Sequence, residues 1–271
     1  GVVHGGQHVL GQLRQAPGRQ VITGQLGLVW KVHPNGSVYV SYATSATPPG
    51  SMLDSNETNP LSGTPDRTGK ILASDMEPEE TTNYELGTKW DVFNDRLSLT
   101  AAIFRTEKEN TRVQTDADTY ENAGKTRVDG IELSASGKIT EQWQVFAGYT
   151  YLDGKQRDGG PLNKATDGNQ LPNTPKNSAS LWTTYAITPK LTIGGGAFYV
   201  DEVFGNVANS TYVPAYTRYD AMASYKLTKN VDLQLNVQNL TDKTYYDKAF
   251  STHFANQAAG RTALLTTSVH F

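Results

Sequence analysis

Apolar and polar residues alternate along most of this chain. In "QWQVFAGYTYL" (142–152), Trp143, Val145, Ala147, Tyr149 and Tyr151 fall on one side, against Gln142, Gln144, Phe146, Gly148 and Thr150 on the other. "RLSLTAAIF" separates Leu97, Leu99, Ala101 and Ile103 from Ser98, Thr100, Ala102 and Phe104. "VDLQLNVQ" separates Val231, Leu233, Leu235 and Val237 from Asp232, Gln234, Asn236 and Gln238. Period two is the signature of a strand with unlike faces. Such segments begin near Thr23, Ser37, Glu80, Arg96, Tyr120, Gln142, Thr174, Lys190, Ala215, Val231 and Gly260, about eleven in all. Each is roughly ten to fifteen residues long, against ~5–6 in ordinary globular sheets. The chain ends inside such a pattern: Ala263, Leu265, Thr267, Val269 and Phe271 share a side of "TALLTTSVHF". Termini fray unless tied down, so this last strand is expected to be paired.

The connections alternate in length. "HPNG" (33–36), "ND" (94–95), "KITE" (138–141), "TP" (188–189) and "TKN" (228–230) are turns. Between them lie long polar stretches near 47–79, 109–119, 154–173, 204–214 and 250–259. Alternation alone does not say whether the apolar side faces a core or lipid, so a soluble β-sandwich binding module is the competing reading. Three features favour lipid. Turns and loops sort to opposite ends, as in outer-membrane barrels. The polar faces carry Ser, Thr, Gln, Asn and Gly more than the Lys and Glu of a solvated sheet. Trp30, Tyr42, Trp90, Trp143, Tyr149, Tyr151 and Tyr199 lie toward strand ends, where interface girdles form.

Composition narrows the picture. No stretch among the 271 residues reaches the ~20 consecutive apolar residues of a membrane helix, and "GVVHGGQHVLGQLRQ" lacks the features of a secretory signal. Without cysteine there are no disulfides, thiolate metal sites or thiol catalysis. The net charge of -3, with no basic stripe, argues against nucleic acid. The five histidines, at 4, 8, 33, 253 and 270, are scattered, and the motifs of serine and zinc hydrolases do not occur. No catalytic residue is assigned, although an outer-membrane hydrolase using His253 is a third reading. "HGGQH" (4–8) offers too few ligands for a metal site. The glycines at 194–196 suit a bend in a wall better than a phosphate cradle.

"PEETTNYELGTKWDVFNDRLSLTAAIFRTEKENTRV", "YENAGKTRVDGIELSASGKI", "NVQNLTDKTYYDKAF" and the terminal "GRTALLTTSVHF" together resemble the C-terminal half of TonB-dependent outer-membrane receptors, particularly the ferric catecholate siderophore receptors. The resemblance runs from about Val21 to the end. It implies an all-β fold, a transmembrane antiparallel up-and-down β-barrel with about eleven strands here of twenty-two. Residues 1–271 are then the C-terminal part of the barrel, with the plug domain and N-terminal strands absent. The implied location is the outer membrane of a Gram-negative bacterium. The implied activity is binding and import of a ferric siderophore, with iron as cargo and no cofactor or metal held by the protein. The implied partners are the siderophore, the TonB energy-coupling protein through the plug, outer-membrane lipid and lipopolysaccharide, and the barrel-assembly machinery, for which Phe271 resembles the terminal signal. A hydroxamate siderophore is the alternative cargo.

A ferric catecholate is an aromatic, multiply charged anion, so its site should join Arg or Lys to aromatic faces. Loop 47–79 has Arg67 and Lys70 but is dominated by carboxylates. Better candidates are Arg112 and Tyr120 near the 109–119 connection and Arg157 in the next. The last loop offers Tyr246, Lys248, His253, Phe254 and Arg261, and it has the best mix.

Overall fold

In the computed structural model, residues 13–16, 19–47, 77–116, 119–250 and 254–271 are described. A short hairpin of β1 (Leu13–Ala16) and β2 (Arg19–Ile22) precedes the main sheet. Then follow β3 (Gly24–His33), β4 (Gly36–Thr47), β5 (Glu79–Val92), β6 (Leu97–Asp116), β7 (Thr119–Lys138), β8 (Trp143–Asp158), β9 (Asn177–Ala186) and β10 (Leu191–Val200). The two-residue strands β11 (Val203–Phe204) and β12 (Tyr212–Val213) pair within a loop, before β13 (Tyr216–Lys226) and β14 (Val231–Gln238). A final loop carries β15 (Tyr246–Phe250) and β16 (Phe254–Gln257), and β17 (Thr262–Val269) completes the order.

Eleven of these strands form one sheet in the order β17-β14-β13-β10-β9-β8-β7-β6-β5-β4-β3. Each pairs antiparallel with its neighbours in sequence, so the sheet is a meander. The terminal strand is indeed paired, from Thr262↔Gln238 to Val269↔Val231. Among the described residues the outer edges of β17 and β3 pair with nothing, and the sheet is an open wall rather than a closed barrel.

The register settles which way each side chain points. Cα partners share a face, and one face reads Leu28–Val40–Leu86–Ile103–Ile131–Tyr151 across six strands. Further along, Leu181, Ile193, Ala223, Leu235 and Leu265 stand on the same side. This apolar face is uncovered: Leu28 is 49% exposed, Leu133 47% and Leu265 66%. Buried apolar residues among those described are few, Leu97, Val113, Val203, Val213, Tyr245 and Ala249. A soluble sandwich buries its apolar face under a second sheet, and no second sheet lies over this one among the described residues. The other face is polar in the way a water-filled interior requires, with Thr100 and Ser134 joined by a 2.6 Å hydroxyl hydrogen bond and Tyr39 donating to Glu85 Oε1 at 2.6 Å.

The expected aromatics sort by depth. Trp30, Trp90 and Trp143 lie near the short turns, whereas Tyr42, Tyr149, Tyr151 and Tyr199 lie toward the long connections, all on the apolar face. From Trp143 to Tyr151 the strand advances about 26 Å at ~3.3 Å per residue, enough to cross a hydrocarbon layer at a tilt. Two glycines let rings lie flat on the wall: any side chain at Gly36 would collide with Trp90, and any at Gly130 with Phe104. In the triple glycine, Gly196 likewise lies beneath Trp182.

One expectation fails. The described residues of the 109–119 stretch, 109–116 and 119, are strand rather than loop, because β6 runs to Asp116 and β7 starts at Thr119. Its polar residues still pair in a ladder, with register shifts at Lys108/Thr111 and Thr111/Arg112 and Asn110 at φ 57. Polarity there does not end the strands, since backbone pairing continues through the polar residues.

Leu133→Arg on the apolar face should cost about 2–4 kcal/mol of barrel stability in bilayers. Ser134→Arg, one residue on, should cost well under 1 kcal/mol because it points to the polar side. Denaturant titration of both variants in the full-length protein checks this, and similar losses from both would contradict the assigned faces.

Candidate functional site

The described long connections, 159–176, 201–215 and 239–261 apart from 251–253, gather at one end of the wall. In them asparagine side chains replace the ladder hydrogen bonds that irregular backbone lacks. Asn173, at φ 50, donates through Nδ2 to the Ala249 carbonyl (2.9 Å) and accepts the Ala249 amide on Oδ1 (3.0 Å). Its own amide donates to the Phe204 carbonyl (2.9 Å). One residue thus joins the 159–176, 201–215 and 239–261 connections. Asn209, at φ 54, repeats the device by accepting the Gln170 amide and donating to its carbonyl, and Asn169 donates to Val207 O. Val203, Val213 and Ala249 form a small buried cluster at the junction. Within 159–176, Asp167 accepts the Gly159 amide (2.9 Å) and pairs with Lys164 (3.0 Å). These two contacts hold its carboxyl below the ordinary aspartate range, the lysine hydrogen bond being the larger cause.

The last connection is anchored at both ends. Asn239 is 1% exposed at φ 51, donates its amide to Asp220 Oδ1 (2.9 Å), and closes the turn through Lys243 N and O. Asp242 accepts the Arg261 amide (2.7 Å) and lies 3.7 Å from the Arg261 guanidinium. From this base the β15–β16 hairpin projects. Phe250 and Phe254 stack with centroids 4.9 Å apart, and Lys248 Nζ lies 5.0 Å from the Phe250 ring centre. Below it, on the polar face of the wall, the Arg218 guanidinium stands 4.8 Å over Phe198 and 2.9 Å from Asp220, while Tyr216 and Tyr245 pack at 4.3 Å.

The residues expected at the site fall into two groups. Tyr246, Lys248, Phe254 and Arg261 belong to the last connection and are exposed, with Lys248 and Phe254 meeting around Phe250 and Arg261 at the base. Arg112 on β6 and Arg157 on β8 stand on another part of the wall, with β9, β10, β13 and β14 between them and β17. Tyr120 lies on β7 with its side chain outside the described residues, as is His253 entirely. Phe271 follows β17 and is fully exposed. Reasoning from sequence missed Asn173, Asn209, Arg218 and Phe198. The last two sit mid-pattern in strands, and only the pairing Phe198↔Arg218 brings them together.

A single wall with its apolar face outward and ordered loops at one end is half of a familiar plan. The family profile described as "TonB dependent receptor-like, beta-barrel" matches residues 6–240. The chain belongs to the TonB-dependent receptor β-barrel family. It is 49% identical over 260 residues to PiuA of Acinetobacter baumannii, named as a probable TonB-dependent siderophore receptor, covering 92% of this chain and 34% of PiuA. It is 37% identical over 251 residues to the catecholate siderophore receptor Fiu of Escherichia coli K12, covering 90% of this chain and 32% of Fiu. The PiuA crystal structure superposes with a TM-score of 0.83 at 48% identity, over 92% of this chain and 36% of that one. The chain therefore spans about a third of the length of these relatives.

Because the Asp167 carboxyl is depressed, its contribution is complete at neutral pH and is lost as pH falls through its lowered value. Protection of the Gly159 amide, corrected for intrinsic exchange, should hold from pH 7 to pH 5 and decline only below about pH 4. Loss already at pH 5–6 would contradict this assignment.

Proposed function

We propose that this chain forms the C-terminal part of a barrel of about twenty-two strands in the Gram-negative outer membrane, crossing it many times and importing a ferric siderophore. Iron enters as cargo on the siderophore. Import draws energy from TonB through a plug domain outside this sequence, and Phe271 at the exposed end of the wall serves as the signal read by the assembly machinery. Family membership and the receptor identity of the relatives support this reading, and those relatives are receptors rather than enzymes.

The observation that carries the cargo assignment is the tip of the last connection. Lys248 beside the stacked Phe250 and Phe254 offers a cation and two aromatic faces within one hairpin. That combination suits an anionic catecholate, whose rings stack on phenyl groups and whose charge draws an ammonium. Tyr246 and Arg261, exposed on the same connection, extend that surface, and His253, Arg112, Tyr120 and Arg157 are carried as further proposed contacts, the two arginines from β6 and β8 across the wall. A hydroxamate complex lacks catechol rings and gains less from such a tip.

In the full-length receptor, fluorescence quenching should show Lys248→Ala with Phe254→Ala weakening ferric catecholate binding about tenfold, equivalent to 1.4 kcal/mol. Ferric hydroxamate should quench weakly in both proteins. Unchanged catecholate affinity would remove the hairpin from the site, and equal response to both complexes would overturn the catecholate assignment.

A further inference from the structure

The last connection is held from the polar face of the wall as well as by its own turn. Cα partners carry that face from Thr100 through Ser134, Gly148, Ser180 and Phe198 to Arg218. Arg218 therefore stands on the polar side of β13, near the end that meets the long connections. Its guanidinium carbon lies 4.8 Å from the Phe198 ring centre, one terminal nitrogen donates to Asp220 Oδ2 at 2.9 Å, and the group also donates to the Tyr245 side chain. A flat ion with one face and two edges engaged is fixed in orientation.

Both edge partners lead to the root of the β15–β16 hairpin. Asp220 accepts the Asn239 amide on its other oxygen, Oδ1, and buried Asn239 in turn bonds Lys243 and the Ala259 carbonyl. Tyr245 is buried, packs on Tyr216, and accepts the Ala258 amide on its carbonyl, which closes the base of the hairpin. Residues 239–245 and 258–259, the two arms beneath the hairpin, are thus tied to one guanidinium. As a stabiliser of the wall this ion pair is poor. Asp220 is buried, and the Arg218 Nε–H is buried with no partner among the described residues, a desolvation that packed apolar side chains avoid. What the pair supplies is a defined geometry.

We propose that Arg218 is a positioning residue for cargo capture: acting through Asp220 and Tyr245, it sets the orientation in which the β15–β16 hairpin presents Lys248, Phe250 and Phe254. It acts on the cargo only through the hairpin. Lysine is a poor substitute, because an ammonium has no planar face to lay on Phe198 while its donors reach two partners. The proposal rests on the function given above for the identity of the cargo alone. The attachment of the hairpin to the wall is independent of what the hairpin binds.

The test uses the full-length receptor in bilayers without siderophore, carrying a nitroxide at Ala255→Cys on exposed β16 and, in a parallel sample, at Lys229→Cys in the exposed β13–β14 turn. Arg218→Met should mobilise the label at 255 and leave the label at 229 unchanged. Arg218→Lys should give an intermediate spectrum. Asp220→Asn should resemble Arg218→Met, and the two together should be no worse than either, since both break one path. In fluorescence quenching, Arg218→Met should weaken ferric catecholate binding about fivefold, and Arg218→Lys less. A label at 255 as immobile in Arg218→Met as in the parent, additive effects in the double variant, or equal mobility gained at 229 would overturn the proposal. So would unchanged affinity in Arg218→Met where Lys248→Ala with Phe254→Ala does weaken binding. If that pair leaves affinity unchanged, the hairpin is not the cargo site, and the mobility measurements still decide whether Arg218 positions it.

Discussion

Backbone hydrogen bonding in a medium without water is the constraint from which this structure follows. An unpaired amide or carbonyl in hydrocarbon costs several kcal/mol. Strands that cross it must therefore pair along their whole length with neighbours that also cross. The eleven-strand meander does this with the shortest connections available, five turns at one end. Once pairing is continuous, the period-two geometry of a strand assigns every side chain to lipid or interior. The apolar row through Leu28, Leu86 and Ile131 and the polar positions of Thr100 and Ser134 are consequences of one register.

Beyond the membrane the same requirement is met differently. Water can satisfy free backbone groups there, so the connections are released from the ladder, yet those described are held in place by side chains. Asn173, Asn209 and Asn239 do so by presenting an amide group that donates and accepts like a peptide unit. Each sits at positive φ, where asparagine is tolerated better than most residues. The aromatic and cationic hairpin thus projects from a fixed base: Asn239 secures its root to β13, and Asn173 ties Ala249 to two other connections.

The sequence made the wall legible because alternation is local: starts near Thr23, Lys190 and Val231 fall within a residue of β3, β10 and β14. The belt aromatics and the mixed character of the last loop were legible for the same reason. Features that depend on register across strands were not. Arg105 and Asp129 are twenty-four residues apart and meet only because β6 and β7 pair; Phe198 and Arg218 are brought together by β10 and β13. The strand residues 109–116 look like loop in sequence because polarity in a membrane protein reports depth, whereas in a soluble protein it more often reports irregular backbone. The asparagine clamps carry no periodic signal, and an asparagine in a loop looks alike whether it ties three loops together or faces water.

The central claim is that one face of this sheet meets lipid and the other an aqueous interior. Its most direct test is spin-label accessibility along β8 in the full-length receptor in bilayers, at positions 143 to 151, using oxygen as the lipid-soluble quencher and a nickel chelate as the water-soluble one. The account predicts a strict two-residue alternation, with oxygen reaching Trp143, Val145, Ala147, Tyr149 and Tyr151 and the chelate favouring the residues between them. Accessibility without that period, or with the two quenchers exchanged between faces, would contradict it.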